Sequence, residues 1–440
     1  MFSRLNLAPA DRECPPVSAT VPVLVSLSLL VTSCSLPGES TGSGGAEEVP
    51  EPSAVASVSG IGWEWEAPEG RTIERVEPVP TGAAVVLDTG IVVLHGQTGE
   101  EVWSHLAAEG ERFTTTRTVD GSAFLVAHGA EDAEVPEESL VLDAATGAEE
   151  GEFQVLEEAA PWGLWRVSRD ERVSRPAGES ESFRPISVAE VGSGELRWEQ
   201  EEPLECEAAP GLPAQQVDAL LHESVLAVLV TCSPERFEES MEVTTAVVGL
   251  DLADGGELWR EEFTHEAASP FPAASVSLDG DMIVLQGVEL PEAHVLNASD
   301  GEVVASTPQN VAGVFDGTVL AWDASAGGHR YDLLGMDLET VESVELPERS
   351  GGSLLSEEDV LPLGDGLVSV EVLEEDGASS GLALGFTPWG GAETEVLDPG
   401  FPIEAGDYFD RFTGQVVEVP GAVVLLDGRS PEPTQLVAYQ

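Results

Sequence analysis

Lysine is absent from all 440 residues: the 18 basic residues are all arginines, set against 82 acidic ones, for a formal net charge of −64. Without lysine there is no phosphate-gripping lysine of a nucleotide loop, no Schiff-base nucleophile and no serine–lysine dyad. So negative a field repels phosphate backbones and anionic lipid heads, which argues against nucleic acid as a partner. The 3.6-residue apolar period of a helix is not sustained over ten residues anywhere in the globular part, so no long amphipathic helix is expected. The longest apolar run of the first 60 residues, Val21 to Val31, is well short of the roughly 20 residues that span a bilayer. The seven histidines are dispersed, with no His-x-His or His-Glu-x-x-His pair, so no zinc site is expected. No two cysteines are adjacent; there are four, Cys14, Cys34, Cys206 and Cys232.

The chain begins in the manner of an export signal. Arg4 and Arg12 precede the run VPVLVSLSLLV, which ends in small residues. Val31-Thr32-Ser33-Cys34 then resembles the bacterial lipobox, which implies cleavage of residues 1–33 and lipidation of Cys34. Residues 34–59, rich in Ser, Gly, Pro and Glu, lack the apolar surface to offset their ordering entropy and read as an acidic tether. Outside the cytosol, Cys206 and Cys232 read as one disulfide, with two buried free thiols as the alternative.

Residues 60–440 alternate short β-branched runs with turn signals: AVVLDTGIVVL, LAVLVTC, MIVLQGV, GTVLAW and AVVLLDG, broken by Asp-Gly pairs at 120, 279, 316 and 365. One stretch recurs. IVVLHGQTGEEVW (Ile91 to Trp103) returns as LVLDAATGAEEGEF, ISVAEVGSGELRW, VVGLDLADGGELW and AHVLNASDGEVVA. Aligned on the residue closing each apolar run, the copies fall at His95, Asp143, Glu190, Asp251, Asn297, Asp337 and Phe386, 48, 47, 61, 46, 40 and 49 residues apart. That spacing suits a four-stranded blade with its loops. Residues Ile61 to Glu66 lack a blade before them and Gln435 to Tyr439 lack an outer strand after them, so pairing the two closes a ring. The fold class is therefore all-β, a propeller of eight four-stranded blades, with seven as the alternative.

The run Asp-x-x-Thr-Gly-x-x-x-Trp resembles the repeat of quinoprotein-like (PQQ-like) β-propellers. The resemblance implies that Asp and Thr-Gly shape a turn and that Trp103, Trp198 and Trp259 dock between neighbouring blades. No copy carries the whole set: Asp143, Thr146 and Gly147 lack the Trp, and Asp254 replaces Thr before Gly255. PQQ-dependent dehydrogenases of this family hold their cofactor beneath a vicinal cysteine pair and beside Ca²⁺. This chain has neither that pair nor an assembled ligand set, so no PQQ, calcium or catalytic residue is assigned.

Val86 to Gly90 matches the Asp-Thr-Gly of aspartic proteases, but the second copy is missing and the segment reads as a hairpin. The acidic runs Glu131 to Glu138 and Glu374 to Asp376 lack calcium-loop spacing and read as solvated loop tips. Trp162, Trp165, Trp322, Trp389 and Tyr408 lie off the repeat position and read as packing beneath loops, with partner contacts on a propeller face as the alternative. The expectation is a monomeric, lipid-anchored scaffold or sensor on the outer face of a bacterial cytoplasmic membrane, binding unidentified envelope proteins. In architecture it is similar to the propeller lipoprotein of outer-membrane barrel assembly and to the propeller sensors of bacterial kinases. The alternative is a PQQ-dependent or other small-molecule oxidoreductase.

Overall fold

The computed structural model describes residues 52–440, apart from 131–137, 154–163, 175–184, 234–240, 268–273, 324–328, 347–359, 376–377, 398–400, 403–414 and 427–432 and a few single positions. The export signal, Cys34, Trp162 and Tyr408 lie outside the described residues. Within them there is no helix, and the strands form eight antiparallel sheets. Blades 1 to 7 occupy residues 73–106, 111–152, 164–199, 214–267, 274–307, 310–346 and 360–402 in chain order. Blade 8 joins Gln415–Val419, Ala422–Leu426 and Gln435–Tyr439 to Ile61–Glu66. The count is eight, not seven.

The burial pattern explains why the apolar runs are continuous rather than alternating. Gly82–Leu87 and Val225–Cys232 are buried at every position, because a middle strand of a blade is covered by its neighbours on both faces. The apolar clusters accordingly lie between blades. One unites Ile73, Val76, Val85 and Leu87 of blade 1 with Val419, Val424, Leu426 and Leu436 of blade 8. Each such fully buried Val or Leu contributes about 1.5–3 kcal/mol.

The ring is closed by backbone pairing. Trp65 lies opposite Leu436 and Glu66 opposite Gln435, while Gln440 donates to Gly60 O (2.9 Å) and accepts from Ser59 N (2.6 Å). Its side-chain Nε2 reaches on into blade 1, donating to Gln97 O at 2.8 Å. Val55 and Val58, from the segment read as tether, pack against Leu363, Leu397 and Tyr439. Two apolar residues suffice to seat the end of an otherwise polar segment.

Two repeat marks shift. The third strand of blade 6 ends at Gly335, not Asp337. Its turn is one residue shorter than the others, with Gly335 N bonded to Glu339 O and Leu338 in the left-handed region at φ +62°. In blade 7 the third strand runs through Phe386 to Pro388, and its outer strand is split into Glu395–Val396 and Phe401–Pro402.

Cys206 and Cys232 form a disulfide across a sequence separation of 26. It pins the approach to blade 4 against that blade's second strand, inside the cluster shared with blade 3. Closing a loop of that length removes about 3.5 kcal/mol of unfolded-state entropy. The double variant Cys206→Ser/Cys232→Ser is expected to lose about 3 kcal/mol in urea unfolding relative to the oxidised protein, and the oxidised protein should lose a similar amount on reduction.

Candidate functional site

The turn between the third and outer strands of a repeat is built by its own residues. Asp143 Oδ1 accepts from Thr146 N (2.9 Å) and Thr146 Oγ1 (2.8 Å), and Asn297 Oδ1 does the same for Ser299 (2.9 and 2.6 Å). The turn then requires a left-handed residue, and Gly99, Gly147, Gly194, Gly255 and Gly301 supply it at φ +69°, +68°, +69°, +75° and +73°. Burial opposes the charge of Asp143, but the bonds from Thr146 and Arg169 outweigh it and hold the carboxyl below its usual range.

Those glycines also leave room for an aromatic face. The Trp103 ring lies where a Cβ on Gly147 would stand, at 2.7 Å from its nearest carbon, and Trp63 sits likewise over Gly99, Trp198 over Gly255 and Trp259 over Gly301. The indole nitrogens complete the contact. Trp63, Trp103 and Trp198 Nε1 donate to Gly96 O (2.7 Å), Ala144 O (3.1 Å) and Leu252 O (2.9 Å). Each Trp therefore belongs to one blade and rests on the next.

Four boundaries lack that Trp. Between blades 5 and 6 Met336 and Leu338 fill the space, between 6 and 7 Trp389 does, packed on Tyr331 and Val344, and between 7 and 8 Leu397 and Phe401 do. The boundary between blades 2 and 3 is different: Gly151 stands at the Trp position beside a cavity of about 530 Å³. Arg169 bridges that boundary instead, bonding Asp143 (3.0 Å), Glu150 (3.0 Å) and Ser122 Oγ (2.8 Å).

A second cleft, of about 410 Å³, lies among the inner strands of blades 1 to 5, where Arg75, Arg117 and Arg166 converge with Leu220 and Leu278. Glu77 is shared by Arg75 (2.6 Å) and Arg117 (3.5 Å), and Arg166 reaches Asp218 in the next blade at 3.2 Å. Glu74 also pairs with Arg75 at 3.6 Å, so three carboxylates balance the three arginines of this cleft in a strongly anionic chain. Its residues come from separate blades, so no sequence motif marks it.

Asp88, of the protease-like triplet, accepts from Thr72 N and Thr89 Oγ1, both at 3.2 Å, within a hairpin. No cluster of His, Cys, Asp and Glu suited to a metal occurs among the described residues. His105 and His128 do meet, ring centroids 5.4 Å apart, through cross-blade packing that the dispersed spacing conceals.

No family model matches the chain, and no curated protein matches it. Solved structures resemble it at low identity and with TM-scores below 0.5. A eukaryotic initiation factor is 12% identical with a TM-score of 0.41, over 76% of this chain and 89% of that one. The WD40 domain of SCAP from fission yeast is 10% identical with a TM-score of 0.42, over 86% and 98%. A protein of unknown function from Bacteroides caccae is 13% identical with a TM-score of 0.29, over 79% and 95%.

Replacing Trp103 by Ala removes a half-buried indole and its hydrogen bond, for an expected loss of about 2–4 kcal/mol in denaturant unfolding. A pH effect follows from two buried histidines. Desolvation lowers the pKa of both His265 and His294 below 6.5, and nearby Glu289 and Glu292 offset it only in part. Below pH 6.5 the unfolded chain takes up protons that the folded one refuses, so stability is lost as pH falls through that window. His294 stacks on Phe263 and bonds Ser306 Oγ at 2.8 Å. His294→Gln keeps a polar partner for Ser306 without a titrating ring, and should flatten the fall in melting temperature between pH 7 and pH 5.

Proposed function

We propose that this protein is an exported, lipid-anchored propeller that binds other polypeptides at the outer face of a bacterial cytoplasmic membrane and carries out no reaction of its own. The observation that carries this reading is the division of labour in the ring. The repeats spend their Asp, Gly and Trp residues on turns and blade contacts, while the outer strands, and in blade 5 the turn before its outer strand, present exposed glutamates around the perimeter: Glu101, Glu149, Glu257, Glu302, Glu342 and Glu395. A closed ring with a predominantly negative rim suits recognition by electrostatic complementarity, which favours partners with basic segments. The Val31-Thr32-Ser33-Cys34 lipobox and the polar segment behind it supply the anchor.

Crosslinking on intact cells, followed by identification of the captured proteins, is expected to give a small, reproducible set of envelope proteins whose yield falls with added salt. Cys34→Ala should leave the membrane fraction; a variant that stays there overturns the anchor. Incubation with PQQ and Ca²⁺ should give no dye-linked alcohol oxidation, and clear turnover would replace the scaffold reading with the oxidoreductase one.

A further inference from the structure

The boundary between blades 2 and 3 is missing a side chain that the repeat supplies elsewhere. Gly151 pairs with Val141 as Trp103 pairs with Val93, Trp198 with Val188 and Trp259 with Gly249. A Cβ built on Gly151 meets no described residue within 4 Å, so among the described residues nothing closes the gap. At about 530 Å³, the cavity beside it has the size of a ligand pocket.

The receiving surface on blade 3 keeps the parts that hold an indole elsewhere. Gly194 has the same left-handed backbone, φ +69°, as the glycines under the other tryptophans. Val191 follows Glu190 as Gly96, Ala144 and Leu252 follow His95, Asp143 and Asp251, and those three carbonyls each accept an indole N–H at 2.7, 3.1 and 2.9 Å. The Val191 amide is used, donating to Asp170 O at 2.8 Å, whereas no described residue donates to its carbonyl. Two guanidiniums edge the space, held in place by their partners: Arg169 by Asp143 and Glu150, and Arg197 by Glu171 at 2.8 Å. Pinned guanidiniums offer cation–π contact to an aromatic face without losing their own side-chain entropy on binding. Glu152 and Asp170 add carboxylates at the rim, which favour cations beside the ring.

We propose that this slot takes a tryptophan side chain from a partner polypeptide, flanked in that partner by arginine or lysine, so that the partner completes in trans the contact that Trp103, Trp198 and Trp259 make in cis. The inference rests on the reading that the partner is a polypeptide. It adds where the partner is read and by what residue.

The test uses the full exported chain with two synthetic peptides, acetyl-GRWRG-amide and acetyl-GRLRG-amide, titrated by calorimetry at low salt. The tryptophan peptide should bind at least tenfold more tightly than the leucine one. Gly151→Trp, which fills the slot from within, should melt at a higher temperature than the parent and bind the tryptophan peptide at least tenfold more weakly. Gly151→Leu, a smaller filling of the same space, serves if the first variant does not fold, and should weaken binding in the same direction. Equal affinity for the two peptides, no binding by the parent, or unchanged binding by a folded Gly151 variant overturns the proposal. Envelope proteins captured equally by parent and Gly151→Trp would sink the slot and leave the scaffold reading standing.

Discussion

The ring depends on one contact: an indole laid flat on a backbone that has no side chain. The receiving residue must be left-handed to close its own turn, and the residue that does this without strain is glycine, so the same atom deficit that permits the turn exposes a peptide face for the neighbour's Trp. The two demands reinforce each other. A Cβ at Gly147 would both strain a φ of +68° and strike the ring of Trp103. At Trp63, Trp103 and Trp198 the indole N–H also bonds a carbonyl of that turn, so those contacts fix orientation as well as distance, while Trp259 rests on Gly301 by packing alone.

Where the indole is absent, the remaining boundaries show how much the geometry tolerates. Leu338 takes the left-handed place in blade 6 at a cost of roughly 1–2 kcal/mol, and offsets it by turning its side chain, with Met336, into the space that Ala305 leaves. Trp389 fills its boundary from the opposite blade, with its own Nε1 donating to Leu363 O at 3.0 Å. These are substitutions of apolar volume for apolar volume. Between blades 2 and 3 the replacement is polar and linear: Arg169 ties Asp143, Glu150 and Ser122 together, but a guanidinium on a thin stem does not occupy the volume of an indole.

The turn, the glycine and the Trp lie within nine consecutive residues, so the propeller and its blade number are legible from the sequence once the copies are aligned. The slippage at Asp337 and Phe386 has a local cause, a shortened turn and a split outer strand, and neither leaves a mark in composition. The absent Trp at Gly151 is visible in the same alignment as a gap in the pattern, although its meaning depends on whether the space closes, which only packing decides. The arginine cleft was not legible at all. Arg75 and Arg117 share Glu77, and Arg166 reaches Asp218, because inner strands of adjacent blades run side by side, and that proximity has no counterpart in sequence spacing.

The distribution of arginine then accounts for the character of the surface. With no lysine, every cation of this chain is a planar fork able to hold two or three acceptors at once, and several are placed where two segments meet. Arg169 joins blades 2 and 3. Arg260 holds Glu257 at 2.6 Å, Glu262 at 3.3 Å and the carbonyl of Glu205, while Glu262 accepts the amides of Glu207 and Ala208, both at 2.7 Å, which secures the loop carrying Cys206. Of the exposed rim glutamates, Glu257 is paired by Arg260, and the arginines are too few to neutralise the rest of the rim. The excess carboxylates are therefore left facing solvent on the outer strands, where high dielectric makes their mutual repulsion cheap, and the ring tolerates a net charge of −64 because attraction is concentrated at the blade boundaries and repulsion is spread over the perimeter. A partner approaching that perimeter meets a predominantly negative field, so the field can set its charge and bring it near, while only a shaped feature at a boundary can select among basic partners.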